Sequence, residues 1–377
     1  MTENPFIITE KIIPEYFCDR ERESSELIKL LKNGNNVVLV SPRRMGKTGL
    51  IQFCFRHKSL KENFLTLYID ILSTSNLQEF TFLLGREVFD SIRTRGEKLW
   101  KGFLTVVKSI SGKIGFDAVS GLPSLNLQLG DLVKPEYTLK EIFQYLSQAG
   151  KQCIVAIDEF QRVNSYPEKN IEALLRSHLL QINNVRMIFS GSERHLLASM
   201  FMDASRPFYQ SSSFMELREI PRQIYVDFIT RLFEQKKKRI SSRLAERIYD
   251  TFDGVTFYIQ RVCNAVFSNT PIVEEAGEET LSYSLNEILS SFDTIYRMWL
   301  SGLTLRQKEL LLAIAAEKTA DKITSASFIR KHSLASASAV QTSIKSLMKD
   351  GIVIRSEKGY LIDDRFFSLW LISNYST

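Results

Sequence analysis

Short apolar runs alternate with amphipathic stretches through the first half of the chain. Four of the runs are NVVLV (36–40), FLTLYIDI (64–71), QCIVAID (152–158) and VRMIFSG (185–191), all rich in β-branched or aliphatic residues and poor in charge. Runs of this length fit strands covered on both faces, as in a parallel sheet. Between them, KTGLIQFCFRH and IEALLRSHLLQI repeat apolar residues at helical spacing. The pattern predicts a three-layer α/β domain. One stretch departs from it: GKIGFDAVSGLPSLNLQLG (112–130) alternates apolar and polar residues around Gly-Leu-Pro and predicts an inserted β-hairpin. After about residue 220 the period becomes helical, in PRQIYVDFITRLFEQKKKRI and SSRLAERIYDTFDGVTFYIQRVCNAVF, followed by the acidic, turn-rich NTPIVEEAGEET.

From Gly302 a separate pattern begins. TLRQKELLLAIAAE reads as an amphipathic helix and TSASFIRKHSL as a short helix with Ser or Thr at its cap. SASAVQTSIKSLMKDG reads as a third helix, with Val340, Ile344, Leu347 and Met348 on one face and Gly351 ending it. IVIRSEKGYLIDD then reads as two strands around Glu357, Lys358 and Gly359. Three helices and a hairpin make a winged helix, whose third helix enters the major groove in the members that bind DNA. Its open face here would present Ser338, Gln341, Thr342 and Lys345, with Arg355 and Lys358 on the wing. Gln, Ser and Thr can read base edges, and the cations can contact phosphate. From Gly302 to Thr377 there are 11 Lys/Arg against 7 Asp/Glu, a net of +4, modest for a DNA reader. Winged helices also serve as protein-interaction modules, so double-stranded DNA and a protein partner both stand as expectations. The terminal DDRFFSLWLIS is too apolar to stay exposed, and Phe366, Phe367, Leu369 and Trp370 are expected to pack on the α/β domain or on another subunit.

The 377 residues suggest two or three domains, drawn here as 1–217, 218–300 and 301–377. Hydrophobic residues make up 44% and charged residues 24%, as in a soluble globular protein. A net charge of +6 permits nucleic acid without requiring it. The run Lys236, Lys237, Lys238 and Arg239 reads either as a basic patch or as a solvated helix face. Cys18, Cys54, Cys153 and Cys263 lie far apart, with neither metal-ligand nor disulfide spacing, and His57, His178, His195 and His332 form no cluster. The first residues do not read as a signal peptide, and no apolar run reaches the roughly 18 residues of a membrane span, so a cytoplasmic protein with no membrane partner is expected.

Candidate chemistry lies in the loop after the first apolar run, SPRRMGKTG, from Ser41, Pro42, Arg43, Arg44 and Met45 through Gly46, Lys47, Thr48 and Gly49. The phosphate-loop pattern ends in Gly-Lys-Ser/Thr, present here, but opens on a glycine where this chain has Ser41. Backbone amides of such a loop and of the helix after it can cradle phosphate oxygens. The lysine reaches the outer phosphates and the hydroxyl ligates Mg2+. A structural turn would need neither Lys47 nor Thr48. In CIVAIDEF, Asp158 closes an apolar strand at the edge where open α/β sheets bind ligands. It can share the metal with Thr48, while Glu159 can polarise an attacking water. Ser190, in MIFSGSERH, ends another buried run and reads either as a γ-phosphate contact or as a plain strand end. Arg194 and Arg206 follow, each open to a surface role or to contact with a transition-state phosphate.

SPRRMGKT, VAIDEFQ and IFSGSE, in this order, resemble the archaeal-type ATPases of the wider AAA/STAND group of P-loop NTPases. That family commonly carries Pro-Arg-Arg-x-Gly-Lys in its Walker A loop, which accounts for Ser41. The segment YFCDRERESSELIKLL (16–31) is similar to the family's Phe-x-x-Arg-Glu stretch, which helps hold adenine, with Phe17, Asp19 and Arg20 matching. The resemblance extends over nearly the whole chain. It implies a sheet ordered 5-1-4-3-2, a helical lid and a C-terminal winged helix. Two departures stand out. Gln210 and Ser211 replace a Gly-Arg pair after Pro207, Phe208 and Tyr209, and Val255 stands where many members have a lid histidine. The expected function is therefore an ATPase, with ATP, ADP and Mg2+ as ligands, Lys47, Glu159 and Ser190 acting on the phosphate, and a winged helix that binds DNA. A signalling switch with slow or absent hydrolysis, or a nucleotide-binding scaffold, are the alternatives.

Overall fold

The computed structural model describes residues 3–8, 14–116 and 123–375. The chain divides into two compact units, Thr9–Ile220, and Met1–Ile8 with Pro221–Thr377.

The first unit is built on five strands, β1 (Val37–Val40), β2 (Phe64–Asp70), β5 (Gln152–Asp158), β6 (Val185–Gly191) and β7 (Ser213–Glu216). All pair in parallel, in the order β2-β5-β6-β1-β7. Counting core strands along the chain, this is 5-1-4-3-2. Successive side chains leave a strand on opposite faces, so each strand feeds two cores. Val38, Val40, Leu65, Leu67, Val155, Ile157 and Phe189 face one cluster, with helices Leu77–Arg93 and Pro135–Gln148 over it. Val37, Leu39, Ile154, Ala156 and Ile188 face the other, under helices Glu21–Lys32 and Lys47–Arg56. This is a three-layer αβα fold. β7 is the strand that the apolar pattern does not announce. Its sequence SFME sits at the sheet edge and only Met215 is fully buried.

The inserted hairpin exists as antiparallel strands β3 (Ile114–Phe116) and β4 (Pro123–Leu125). The turn between them, 117–122, lies outside the described residues.

The second unit opens on helices Arg222–Gln235, Ser242–Thr251, Thr256–Asn269 and Glu278–Ser301, with a short parallel pair, β8 (Arg239–Ile240) and β9 (Glu275–Ala276). The first residues of the chain belong here and not with the α/β unit as the sequence division had them. Phe6 is fully buried among Phe228, Phe233 and Phe267, with ring centroids 6.5, 5.5 and 6.0 Å away. Asn264 donates its amide to the Phe6 carbonyl at 2.6 Å, and Asn4 donates to the Asn264 carbonyl at 2.9 Å. The basic run at 236–239 is not a helix face, and Lys237 and Arg239 are exposed. It turns out of a helix into β8, and Lys238 is buried, donating to the Phe267 carbonyl at 2.6 Å with its ammonium 4.2 Å from the Phe267 ring.

The winged helix follows as Leu305–Glu317, Ala326–Lys331 and Ala337–Lys349, then antiparallel β10 (Val353–Ser356) and β11 (Gly359–Ile362). Thr304, Ser325 and Ser336 cap the three helices through their hydroxyls. The third helix buries Val340, Ser343, Ile344 and Leu347, whereas Met348, expected on that face, is 40% exposed. The last helix, Arg365–Tyr375, packs within its own unit. Phe366 meets Tyr258 at 4.9 Å, Phe367 meets Tyr296 at 4.9 Å, and the Trp370 indole donates to Asp293 at 2.9 Å. Leu369 is only half-buried. Among the described residues no helix is long and apolar enough to cross a membrane.

Candidate functional site

The parallel sheet ends three of its strands, β1, β5 and β6, at one edge, and the candidate residues stand there. After Val40 the chain enters the loop Ser41–Gly46 and then the helix Lys47–Arg56. Ser41 is fully buried, its amide bonded to the Gly191 carbonyl at the end of β6 and its hydroxyl to the Pro42 carbonyl. A buried serine tied to its neighbours thus takes the position of the missing glycine. Arg44 and Gly46 carry φ of 68° and 91°. Left-handed residues in such a loop turn consecutive amides toward one concavity, the geometry of an anion nest. No side chain caps the N-terminus of the helix behind it, so its first N–H groups and its positive dipole end are available to an anion.

Lys47, at the first turn of that helix, is 93% buried and places its amine 3.9 Å from the Glu159 carboxylate. Asp158 closes β5. Its Oδ1 accepts from the Ser190 hydroxyl at 2.6 Å and from the Glu159 amide at 3.0 Å. Its Oδ2 accepts from the Thr48 hydroxyl at 3.1 Å and from the Tyr68 hydroxyl at 2.7 Å. Tyr68 and Thr48 are themselves 3.3 Å apart. Burial, and after it the Asp158 charge, push the Tyr68 phenol well above its ordinary range, so it remains a proton donor.

Glu159 adopts φ 56°, a left-handed conformation that a side chain rarely takes, and it turns the carboxylate across the edge of the sheet. Its Oε2 is held by the Ser192 hydroxyl at 2.8 Å, the Ser192 amide at 3.3 Å and the Gln161 amide group at 2.5 Å. Arg43 of the loop donates to Ser192 at 3.4 Å, linking the loop to the same group. The contact of Gln161 with β6 depends on Gly191, because a Cβ there would lie 2.0 Å from the Gln161 side-chain oxygen. Gly191→Ala is therefore expected to force Gln161 out of its buried seat and to destabilise the protein by about 1–3 kcal/mol, the range for overpacking. Chemical denaturation measures this, and an unchanged midpoint would show that Gln161 has room to move.

Phe17 and Arg20 flank the loop. Phe17 stacks on Phe53 of the helix Lys47–Arg56, with centroids 4.4 Å apart, and the buried Arg20 guanidinium donates to the Met45 carbonyl at 3.5 Å. The structure thus brings together Ser41, Lys47, Thr48, Asp158, Glu159 and Ser190. Arg194 and Arg206 form ion pairs with Glu216 and with Glu172. Tyr68, Gln161 and Ser192 were not singled out from the sequence. Tyr68 comes in from β2, a strand remote in sequence, and only pairing of β2 with β5 reveals it. In the winged helix, Ser338, Gln341, Thr342 and Lys345 are exposed on the third helix, and Arg355 and Lys358 are exposed on the wing. Arg355 lies 5.5 Å over the Tyr360 ring.

Comparison with known proteins places this geometry in a lineage. Residues 294–373 match the model described as a probable winged helix domain. An uncharacterized ATP-binding protein of Methanocaldococcus jannaschii is 26% identical over 159 residues, 39% of this chain. The match spans only 43% of that relative's length. Among solved structures, the Walker-type ATPase PABY2304 of Pyrococcus abyssi superposes with a TM-score of 0.63 at 20% identity, covering 97% of this chain and 99% of that one. The Aeropyrum pernix ORC2 protein, solved in ADPNP–ADP complexes, gives 0.59 at 15% identity, with 98% of each chain covered. The ORC1 protein of the same organism, solved in complex with DNA, gives 0.52 at 14% identity over 96% of this chain and 95% of its own. At these identities the likeness is one of fold. Residues 17–262 match the model of an ATPase domain predominantly from Archaea, and the chain belongs to that family.

Proposed function

We propose that this chain is an ATPase that hydrolyses ATP with Mg2+ and couples nucleotide state to a winged helix that binds DNA. The observation that carries the reading is the convergence of Lys47, Thr48, Asp158 and Glu159 at one sheet edge beside an uncapped helix N-terminus. The oxygen donors of Thr48 and Asp158, 3.1 Å apart, fit a hard divalent cation. Mg2+ held there would neutralise charge on the outer phosphates. Lys47 and the loop amides would bind those phosphates, with Phe17 and Arg20 at the base. Glu159, fixed by Gln161 and Ser192, would orient the water for in-line attack on the γ-phosphate and accept its proton. A nucleotide site of this kind suits the AAA/STAND group that the motifs resemble.

DNA is the first partner to test because the third winged helix exposes Gln341, Thr342 and Lys345 and no acid. The fold relative ORC1, solved with DNA, supports the same choice. Duplex DNA is expected to bind with a salt dependence, and Lys345→Ala is expected to lower the slope of log affinity against log salt by about one unit, one phosphate contact. Fluorescence anisotropy at several salt concentrations checks this. Binding that ignores salt and the substitution would move the winged helix to a protein partner and the chain to a slow signalling switch.

A further inference from the structure

An ionised carboxylate offers about four lone-pair positions, and in Asp158 the protein fills all four. Ser190 and the Glu159 amide take Oδ1, and Thr48 and Tyr68 take Oδ2. A cation or its bound water that engages Asp158 must therefore displace a donor. The Glu159 amide is backbone. Ser190 is fully buried on β6. Thr48 can keep donating its proton to Asp158 while its oxygen lone pairs face a cation. Tyr68 is different: it is only half-buried, and it reaches Asp158 from the neighbouring strand β2 at the end of a long side chain.

We propose that Tyr68 competes with the divalent cation: its hydroxyl occupies the Asp158 lone pair that Mg2+ or its water needs, and loading with Mg2+ and nucleotide displaces it. Tyr68 is thus a positioning residue that closes the metal seat in the nucleotide-free protein. The inference rests on the reading of Thr48 and Asp158 as the metal site.

The test is Tyr68→Phe, which removes the hydroxyl and keeps the ring. Affinity for the β,γ-imido analogue of ATP is measured by calorimetry in MgCl2 and in EDTA, for wild type and variant. The ratio of the two affinities is expected to rise about two- to tenfold in Tyr68→Phe, the net worth of one hydrogen bond. A tyrosine that merely props up the site would weaken binding without raising that ratio. An unchanged or lower ratio, or loss of binding, overturns the proposal. A wild-type ratio near one would instead overturn the metal site itself, and the proposal with it. As a second readout, adding MgCl2 to the wild-type analogue complex is expected to perturb tyrosine absorbance as Tyr68 leaves its bond to Asp158. No such change in the wild type overturns the displacement, whether or not the variant folds.

Discussion

Lys47→Ala is expected to weaken ATP binding by at least about a hundredfold. Lys47 is 93% buried, beside an uncapped helix end that can receive a phosphate. At roughly 4 Å and an effective dielectric near 20, one such charge pair is worth about 4 kcal/mol before desolvation, and each 1.4 kcal/mol is tenfold in affinity. The fold should survive the change. Lys47 and Glu159 are 3.9 Å apart, and Glu159 keeps its bonds to Ser192 and Gln161 when the lysine is gone. Isothermal calorimetry of ATP against both proteins reads the effect directly. Retained affinity in a folded Lys47→Ala protein would mean that the loop is only a strand-to-helix turn.

Glu159→Gln is expected to separate binding from hydrolysis. The substitution keeps the shape of the side chain and removes its ability to take a proton. General-base catalysis is typically worth about 10²–10⁴-fold, so phosphate release in a single turnover should fall by that factor. ATP affinity should stay within a few-fold, because Glu159 is not itself part of the phosphate cradle and Lys47, 3.9 Å from it, is retained. The variant should therefore retain ATP on a filter far longer than the wild type does. Hydrolysis at the wild-type rate would remove Glu159 from the chemistry and favour a plain nucleotide-binding scaffold.

The motifs that lie contiguous in sequence were legible without coordinates. Gly46-Lys47-Thr48 follows a four-residue apolar strand, and Asp158-Glu159 ends another, so parallel pairing had to bring them to one edge. The fold class could be read for the same reason, since buried parallel strands are uninterrupted apolar runs, whereas the strand order came only from the family resemblance. What could not be read depends on contacts between segments. Tyr68 looks like one more aromatic in FLTLYIDI until β2 pairs with β5. Gln161 and Ser192 look like ordinary polar residues until the left-handed turn at Glu159 aims its carboxylate at them. β7 escaped because an edge strand buries too few residues to show an apolar run. Phe6, a lone aromatic near the start of the sequence, gave no sign that it would fill a pocket formed by Phe228, Phe233 and Phe267, far away in sequence. The ion pairs of Arg194 with Glu216 and of Arg206 with Glu172 likewise could not be read from sequence order.

The most direct test is the rate of phosphate release from ATP by the wild-type chain, in MgCl2 and in EDTA, with Lys47→Ala as the blank and duplex DNA present or absent. The expected result is release that requires Mg2+, vanishes in Lys47→Ala, and rises with DNA at low salt. Release no faster than the blank under every condition would contradict the assignment of an ATPase.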